Sequence, residues 1–95
     1  MKSVSSNTES KRRVGIHAAD FVRDGMQIGI GTGSTVAFFI EELGRRIRGG
    51  LHIQGVATSY YTRLLCIRNG IPILDSMMLD HLDLAVDGAD EIDPS

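Results

Sequence analysis

The stretch that decides the fold is "MQIGIGTGST", Met26 to Thr35. It opens as a short apolar run and closes with Gly29, Gly31 and Gly33 set among Thr32, Ser34 and Thr35. The run predicts a strand over Met26–Gly31. Immediately after it, Val36, Ile40, Leu43 and Ile47 recur at spacings of four, three and four, the period of an amphipathic helix. Ser34 or Thr32 can cap that helix, and Gly49-Gly50 stops it. A strand leading through a glycine turn into a helix is the repeating unit of an open α/β sheet.

Reading outward extends the pattern. Upstream, "SNTE" over Ser6–Glu9 has the form of a capping box, and Val14, Ala18, Phe21 and Val22 share one helical face. A helix is expected from about residue 8 to 23, with Gly25 beyond it and residues 1–7 as a disordered lead-in. Downstream, "LHIQGVA" over Leu51–Ala57 alternates as a second strand. Thr58 or Ser59 caps a third helix that runs to Asn69, with Gly70 and Pro72 marking its end. "IPIL" predicts a third strand, "LDLAV" over Leu82–Val86 a fourth, and "DGADE" a turn. The link "DSMMLDH" is short for a parallel crossover, so it must be extended or hold a single helical turn. The fold class that follows is α/β: a Rossmann-like open, mostly parallel sheet with helices on both faces, three layers deep. Ninety-five residues make one small domain, or part of a larger one.

Composition narrows the function. Hydrophobic residues make up 42%, which fits a globular chain and not a disordered one. Cys66 is the single cysteine, so no internal disulfide forms, in keeping with a reducing, cytoplasmic setting. The polar opening "MKSVSSNTES" has no apolar segment of a secretory leader, and no apolar run approaches the ~20 residues that cross a membrane. The net charge of −2 conceals an asymmetry: residues 1–74 carry all ten bases against five acids, and residues 75–95 carry seven acids and no base. Met77, Met78, Leu79, Leu82, Leu84 and Val86 run through the acidic part, which argues against a free acidic tail. Carboxylates packed without cations would repel, so their cationic partners are expected elsewhere. Lys11-Arg12-Arg13 and Arg45-Arg46-Arg48 are short clusters best read as solvated helix faces, so no nucleic-acid partner is expected.

The glycine loop has the chemistry of an anion cradle. A helix N-terminus presents unpaired N–H groups and a partial positive charge. Gly31 and Gly33 remove side chains that would block close approach, and Thr32, Ser34 and Thr35 add short O–H donors. The dinucleotide pattern fails, because the sixth position from Gly29 is Ser34 and from Gly31 is Val36. The P-loop pattern fails for want of a following Gly-Lys-Ser/Thr. No carboxylate stands at Ala57-Thr58-Ser59 to hold a ribose, so a small phosphate ester fits better than a dinucleotide. The plainer reading is a tight turn that merely needs glycine. Thr58, Ser59 and Thr62 form a second hydroxyl cluster, read either as helix caps or as further donors to the same phosphate.

The acidic turn supplies the other half. Asp87, Asp90 and Glu91 follow the fourth strand. Ligands of open parallel sheets bind beyond the carboxyl ends of strands where the winding reverses. If the fourth strand lies beside the first, Thr32–Thr35 and Asp87–Asp90 face one crevice. Phosphate would occupy one side, and carboxylates would meet sugar hydroxyls on the other. A divalent cation and a merely solvated turn are the competing readings; the calcium-loop spacing is missing. His17, His52 and His81 are scattered, and Cys66 sits among helical apolar residues, so none is a leading catalytic candidate.

In this order and spacing, Gly29–Thr35 ("GIGTGST") and Val86–Ile92 ("VDGADEI") resemble the first two signatures of ribose-5-phosphate isomerase, type A. The resemblance covers nearly the whole chain. It implies an aldose–ketose isomerase of the pentose phosphate pathway, interconverting ribose 5-phosphate and ribulose 5-phosphate through an enediolate, with no cofactor and no metal. It implies phosphate binding by Thr32, Gly33, Ser34 and Thr35. It implies that Asp87, Gly88, Ala89 and Asp90 line the sugar end, with Asp87 and Asp90 as catalytic groups. It also implies a cytoplasmic homodimer or homotetramer without a membrane partner. The family's later lysine–glycine signature and its glutamate base have no counterpart in these 95 residues, so the chain alone is expected to be nearly inactive. Tyr60 and Tyr61 stand where the family often has small polar residues. The rival class is a sugar-phosphate-sensing domain of a transcriptional regulator, which would keep the cradle and need no base.

Overall fold

The computed structural model describes residues 4–87 and 92–94. In chain order the elements are α1 (Val4–Ala19), β1 (Gln27–Ile30), α2 (Ser34–Arg48), β2 (Gln54–Ala57), α3 (Tyr60–Arg68), a 3₁₀ turn (Ser76–Met78), β3 (Leu84–Val86) and β4 (Ile92–Pro94). They form one four-stranded sheet in the order β2-β1-β3-β4. β1 lies parallel to both β2 and β3, with Ile30 opposite Ala57 on one side and Val86 on the other. The condition set by the single-crevice reading, that the strand before the acidic turn lie beside the glycine strand, is met. β4, not expected, closes antiparallel on β3. Its Pro94 is tolerable there because β4 is an edge strand, where a missing N–H costs no ladder bond.

The sheet buries one row of side chains completely. Ile28 and Ile30 of β1 and Leu84 and Val86 of β3 are at most 4% exposed, while Gly29 and Ala85 between them are half-buried. The buried row meets Val36, Phe39, Ile40 and Leu43 of α2, the face that the helical spacing predicted, with Phe39 added to it.

Several boundaries and faces depart from expectation. α1 starts at Val4, so Ser6 lies inside the helix and does not cap it; residues 1–3 of the expected lead-in fall outside the described set. α1 ends at Ala19 and not near 23. The chain tightens there through Asp20 N–H to the His17 carbonyl, Phe21 N–H to Ala18 and Val22 N–H to Ala19. Val14 and Phe21 are exposed; the face of α1 that packs is Gly15, Ala18 and Ala19, continued by Val22. Small residues win because α1 lies directly on the α2 backbone: a Cβ on Gly15 would sit 2.8 Å from the Thr35 carbonyl oxygen and from the Phe39 nitrogen.

The cap of α2 is Gly33 at φ 128°, not Ser34 or Thr32, and no side chain caps it. Ser59 does cap α3, accepting from Thr62 N–H. The expected third strand shrinks to a single parallel bridge, Gly55 to Ile73, flanked by Gly55 N–H to the Pro72 carbonyl and Leu74 N–H to the Gly55 carbonyl. Pro72 cannot donate, which limits the ladder. The short crossover contains the single helical turn that its length required.

Candidate sugar-phosphate site

The candidate site forms where β1 and β3 end side by side. Gly31 N–H donates to the Val86 carbonyl at 2.8 Å, which fastens the start of the glycine loop to the end of β3. On the other side, the Ile30 carbonyl accepts from Thr58 N–H at 3.1 Å and from Thr58 Oγ1 at 3.3 Å. Thr62 Oγ1 donates to the Gly31 carbonyl at 2.9 Å and accepts from Ser59 Oγ at 3.0 Å. The loop is thus held from both flanking strands before any ligand arrives.

A cavity of about 350 Å³ opens at this point. Its polar lining is Thr32, Thr58 and Asp87, and its apolar wall includes Leu82 and Ala85. Gly29 contributes the floor by having no side chain: a Cβ there would stand 3.1 Å from Leu82 Cδ1. A hydroxyl-bearing edge, a carboxylate edge and an apolar wall in one small cavity suit a polar ligand of sugar-phosphate size.

The residues singled out from the sequence distribute as follows. Thr32 and Asp87 line the same cavity, each exposed to solvent. Gly33 and Ser34 are exposed in the next two positions, at the start of α2. Thr35 is buried, only 4% exposed, and faces the α1 contact through its backbone. Gly88, Ala89, Asp90 and Glu91 lie outside the described residues, so the acidic turn is represented by Asp87 alone. The metal reading rested on Asp90 and Glu91 as well; among the described residues no three His, Cys, Asp or Glu side chains converge.

The hydroxyl cluster of the β2–α3 turn needs revision. Thr62 was read as a cap or a phosphate donor, yet it is 1% exposed and its one O–H is committed to the Gly31 carbonyl. Ser59 spends its hydroxyl on Thr62. Thr58 alone of the three borders the cavity. Leu82 was missed as a site residue because its strand pattern looked purely structural; Gly29 was read within the glycine loop but not as part of the cavity lining.

Other chemistry lies away from this place. A cleft of about 380 Å³ between α1 and α2 is bordered by Arg12, Phe38, Glu41, Glu42 and Arg45; Arg12 lies over the Phe38 ring. Glu42 bridges Arg45 at 3.1 Å and Arg46 at 3.0 Å, and those cations hold its carboxyl below the usual range. Cys66 is fully buried and burial pushes its thiol up to about 11, so it is no nucleophile at neutral pH. His81 lies between Asp80 (2.9 Å) and Asp83 (3.2 Å), which raise its pKa, beside the crossover and not in the cavity. Among the described residues no helix is long and apolar enough to cross a membrane.

Comparison with known proteins bears on the same residues. The family model for ribose 5-phosphate isomerase A (phosphoriboisomerase A) matches residues 54–95. The chain is 52% identical over 90 residues to ribose-5-phosphate isomerase A of Rhodopseudomonas palustris (strain BisA53), covering 95% of this chain and 37% of that protein. It is 50% identical over 93 residues to the isomerase A of Methanosarcina acetivorans, covering 97% and 40%. Among solved structures, ribose 5-phosphate isomerase A from Methanocaldococcus jannaschii superposes with a TM-score of 0.81 at 43% identity, over 86% of this chain and 36% of that one. A D-ribose-5-phosphate isomerase in complex with phospho-erythronic acid gives a TM-score of 0.76 at 44% identity, over 83% and 36%. The resemblance read from the two signatures therefore holds, and this chain spans less than half the length of the proteins it matches.

Proposed function

We propose that this chain, related in sequence and fold to the type A ribose-5-phosphate isomerases along nearly all its length, forms the phosphosugar-binding edge of an aldose–ketose isomerase acting on ribose 5-phosphate and ribulose 5-phosphate. The observation that carries this reading is the joint lining of one cavity by Thr32 of the glycine loop and Asp87 of the acidic turn. A phosphate at the start of α2 would meet backbone N–H groups and the Thr32 and Ser34 hydroxyls. The sugar would extend along Gly29 and Ala85 toward Asp87, which accepts hydrogen bonds from its hydroxyls. The solved relative that holds phospho-erythronic acid, an open-chain phosphorylated sugar acid, supports a ligand of this class.

The reaction moves a proton between adjacent carbons, so it needs a base above the carbon and a donor beside the oxygen. Asp87 is positioned for work at the sugar hydroxyls, and Asp90, outside the described residues, is proposed beside it. Thr35, buried as it is, would act through the α2 first turn. The sensor-domain reading gains no support from these relatives, which are isomerases. Self-association is part of the proposal, and the exposed Tyr60, Leu64 and Ile67 along α3 support it. A cytoplasmic location is carried with it.

The test is calorimetric titration of the purified chain with ribose 5-phosphate, ribose and inorganic phosphate. We expect saturable binding of ribose 5-phosphate, with Asp87→Asn weakening it about tenfold while sparing inorganic phosphate. Equal affinity for ribose 5-phosphate in wild type and Asp87→Asn would remove Asp87 from the site.

A further inference from the structure

The fold of the β2–α3 turn suggests a role for a residue that never touches solvent. Thr62 is 1% exposed, stands in the first turn of α3, and donates its hydroxyl to the Gly31 carbonyl across 31 positions of sequence at 2.9 Å. Its hydroxyl oxygen is itself filled by the Ser59 O–H at 3.0 Å, and its N–H donates to Ser59 Oγ at 3.1 Å. The Ser59 hydroxyl therefore orients the Thr62 proton, leaving the Gly31 carbonyl as its acceptor.

The consequence falls on the next peptide. In an extended strand the N–H and C=O of one residue point the same way. Gly31 breaks that rule: its N–H goes to Val86 on β3, and its C=O goes to Thr62 on α3. No peptide bond here is cis, and in a trans peptide the C=O and the following N–H point in opposite directions. With the Gly31 carbonyl held against α3, the Thr32 N–H is turned away from α3, and Thr32 is one of the residues that line the cavity with Asp87.

We infer that Thr62 is a positioning residue: by holding the Gly31 carbonyl it fixes the Gly31–Thr32 peptide so that the Thr32 N–H serves as a backbone donor to the phosphosugar. This rests on the reading of the cavity given under the proposed function. It assigns the Ser59–Thr62 pair to aiming the loop and not to direct contact. A hydroxyl is required, since valine has the same shape and no proton to give.

The experiment uses the isotope-labelled chain as wild type, Thr62→Val and Thr62→Ser, titrated with ribose 5-phosphate and with inorganic phosphate while amide resonances are followed. The expected result has three parts. Both ligands shift the Thr32 amide in wild type. Thr62→Val displaces the free Gly31 carbonyl and Thr32 amide signals and binds ribose 5-phosphate at least tenfold more weakly. Thr62→Ser, which restores the hydroxyl, binds within about twofold of wild type. A folded Thr62→Val that binds as wild type overturns the positioning role and leaves the cavity reading intact. If Thr62→Val fails to fold, the wild-type titration still decides: Ser34 and Thr35 amides that respond while Thr32 stays still overturn the inference, and a dominant Thr32 response with Thr62→Ser retaining affinity sustains it. Absence of any ligand-dependent shift in wild type overturns the cavity reading itself and this inference with it.

Discussion

At the residue scale, the charged and reactive side chains outside the cavity have roles that can be separated by titration. Cys66 is enclosed in the core, and its thiol is raised to about 11 by desolvation. It should resist a thiol reagent at neutral pH in the folded chain and react fully once urea unfolds it; labelling at equal rates in both states would contradict its burial. His81 makes a pH-dependent contribution of definite sign. The hydrogen bond that His81 donates to Asp80 and the charge of Asp83 raise its pKa above the ordinary 6.5. The protonated form is therefore favoured by folding, so its stabilisation is complete below 6.5 and fades as pH climbs through the raised value. Asp80, lowered by the same contact, loses its share only when pH falls through its own depressed value. Urea midpoints measured from about pH 5 to about pH 9 should decline on the alkaline side, and His81→Gln should flatten that decline. A slope unchanged in His81→Gln would assign it elsewhere. Because His81 and Asp80 are both largely exposed, the effect should also shrink in high salt.

At the element scale, the seam between α1 and α2 decides how firmly the phosphate loop is backed. Gly15 lets the helices touch backbone to backbone at the Thr35 carbonyl, in the first turn of α2 where the loop ends. A methyl group there meets Phe38 Cβ, the Phe39 nitrogen and the Thr35 oxygen, all at 2.8 Å, and two of those atoms cannot rotate away. Gly15→Ala should therefore cost about 2–3 kcal/mol by overpacking, despite the better helix propensity of alanine. Chemical denaturation checks it, and a neutral or stabilising result would mean that α1 can slide. The far end of the same seam is tied by Arg46, which donates to the Ala19 carbonyl at 3.0 Å, to Asp20 at 2.6 Å and to Glu42 at 3.0 Å. Arg46→Met keeps the aliphatic stem but leaves the Glu42 carboxylate, 8% exposed, with Arg45 alone. We expect a loss of about 1.5–3 kcal/mol, the range for hydrogen bonds to charged groups.

These elements also show what a sequence can and cannot declare. α2 was legible because its core side chains, Val36, Ile40 and Leu43, are large and strictly periodic. α1 was legible as a helix but not in its orientation, because its packed face is built of glycine and alanine while its larger residues Val14 and Phe21 point outward. Hydrophobic size is a poor guide where close approach of backbones decides the contact. The β1–β3 adjacency entered only as the condition for one shared crevice, and the pairing of Ile30 with Val86 meets it. β4 was not foreseen, because its three residues include an acid and a proline, and only pairing with β3 makes them a strand. Thr58 and Thr62 looked equivalent as hydroxyls near a helix start. They separate because Thr58 lies before α3, tied to the Ile30 carbonyl beside the cavity, while Thr62 is turned beneath the loop by the rotation of α3 about its axis, which nine residues of mixed character do not fix.

At the scale of the whole molecule, the question is whether the glycine loop and the acidic turn act as one site, and stability answers it without any assay of turnover. A ligand that binds only the folded chain stabilises it by mass action, about 2.7 kcal/mol at a hundredfold excess over Kd. For a domain of this length each kcal/mol moves the melting temperature by about 4–8 °C, so saturating ribose 5-phosphate should raise Tm by about 10 °C or more. The convergence of the two segments makes the shift composite. Inorganic phosphate, reaching only the loop side, should give a smaller rise, and ribose, lacking the anion, almost none. Asp87→Asn should leave the phosphate shift unchanged while cutting the ribose 5-phosphate shift toward it. Thr62→Val should depress both, because the loop it aims serves the anion common to the two ligands. Identical shifts for phosphate and ribose 5-phosphate, unaffected by Asp87→Asn, would mean that the sugar never reaches the carboxylate edge, and the single cavity joining Thr32 to Asp87 would then be a feature of shape and not of binding.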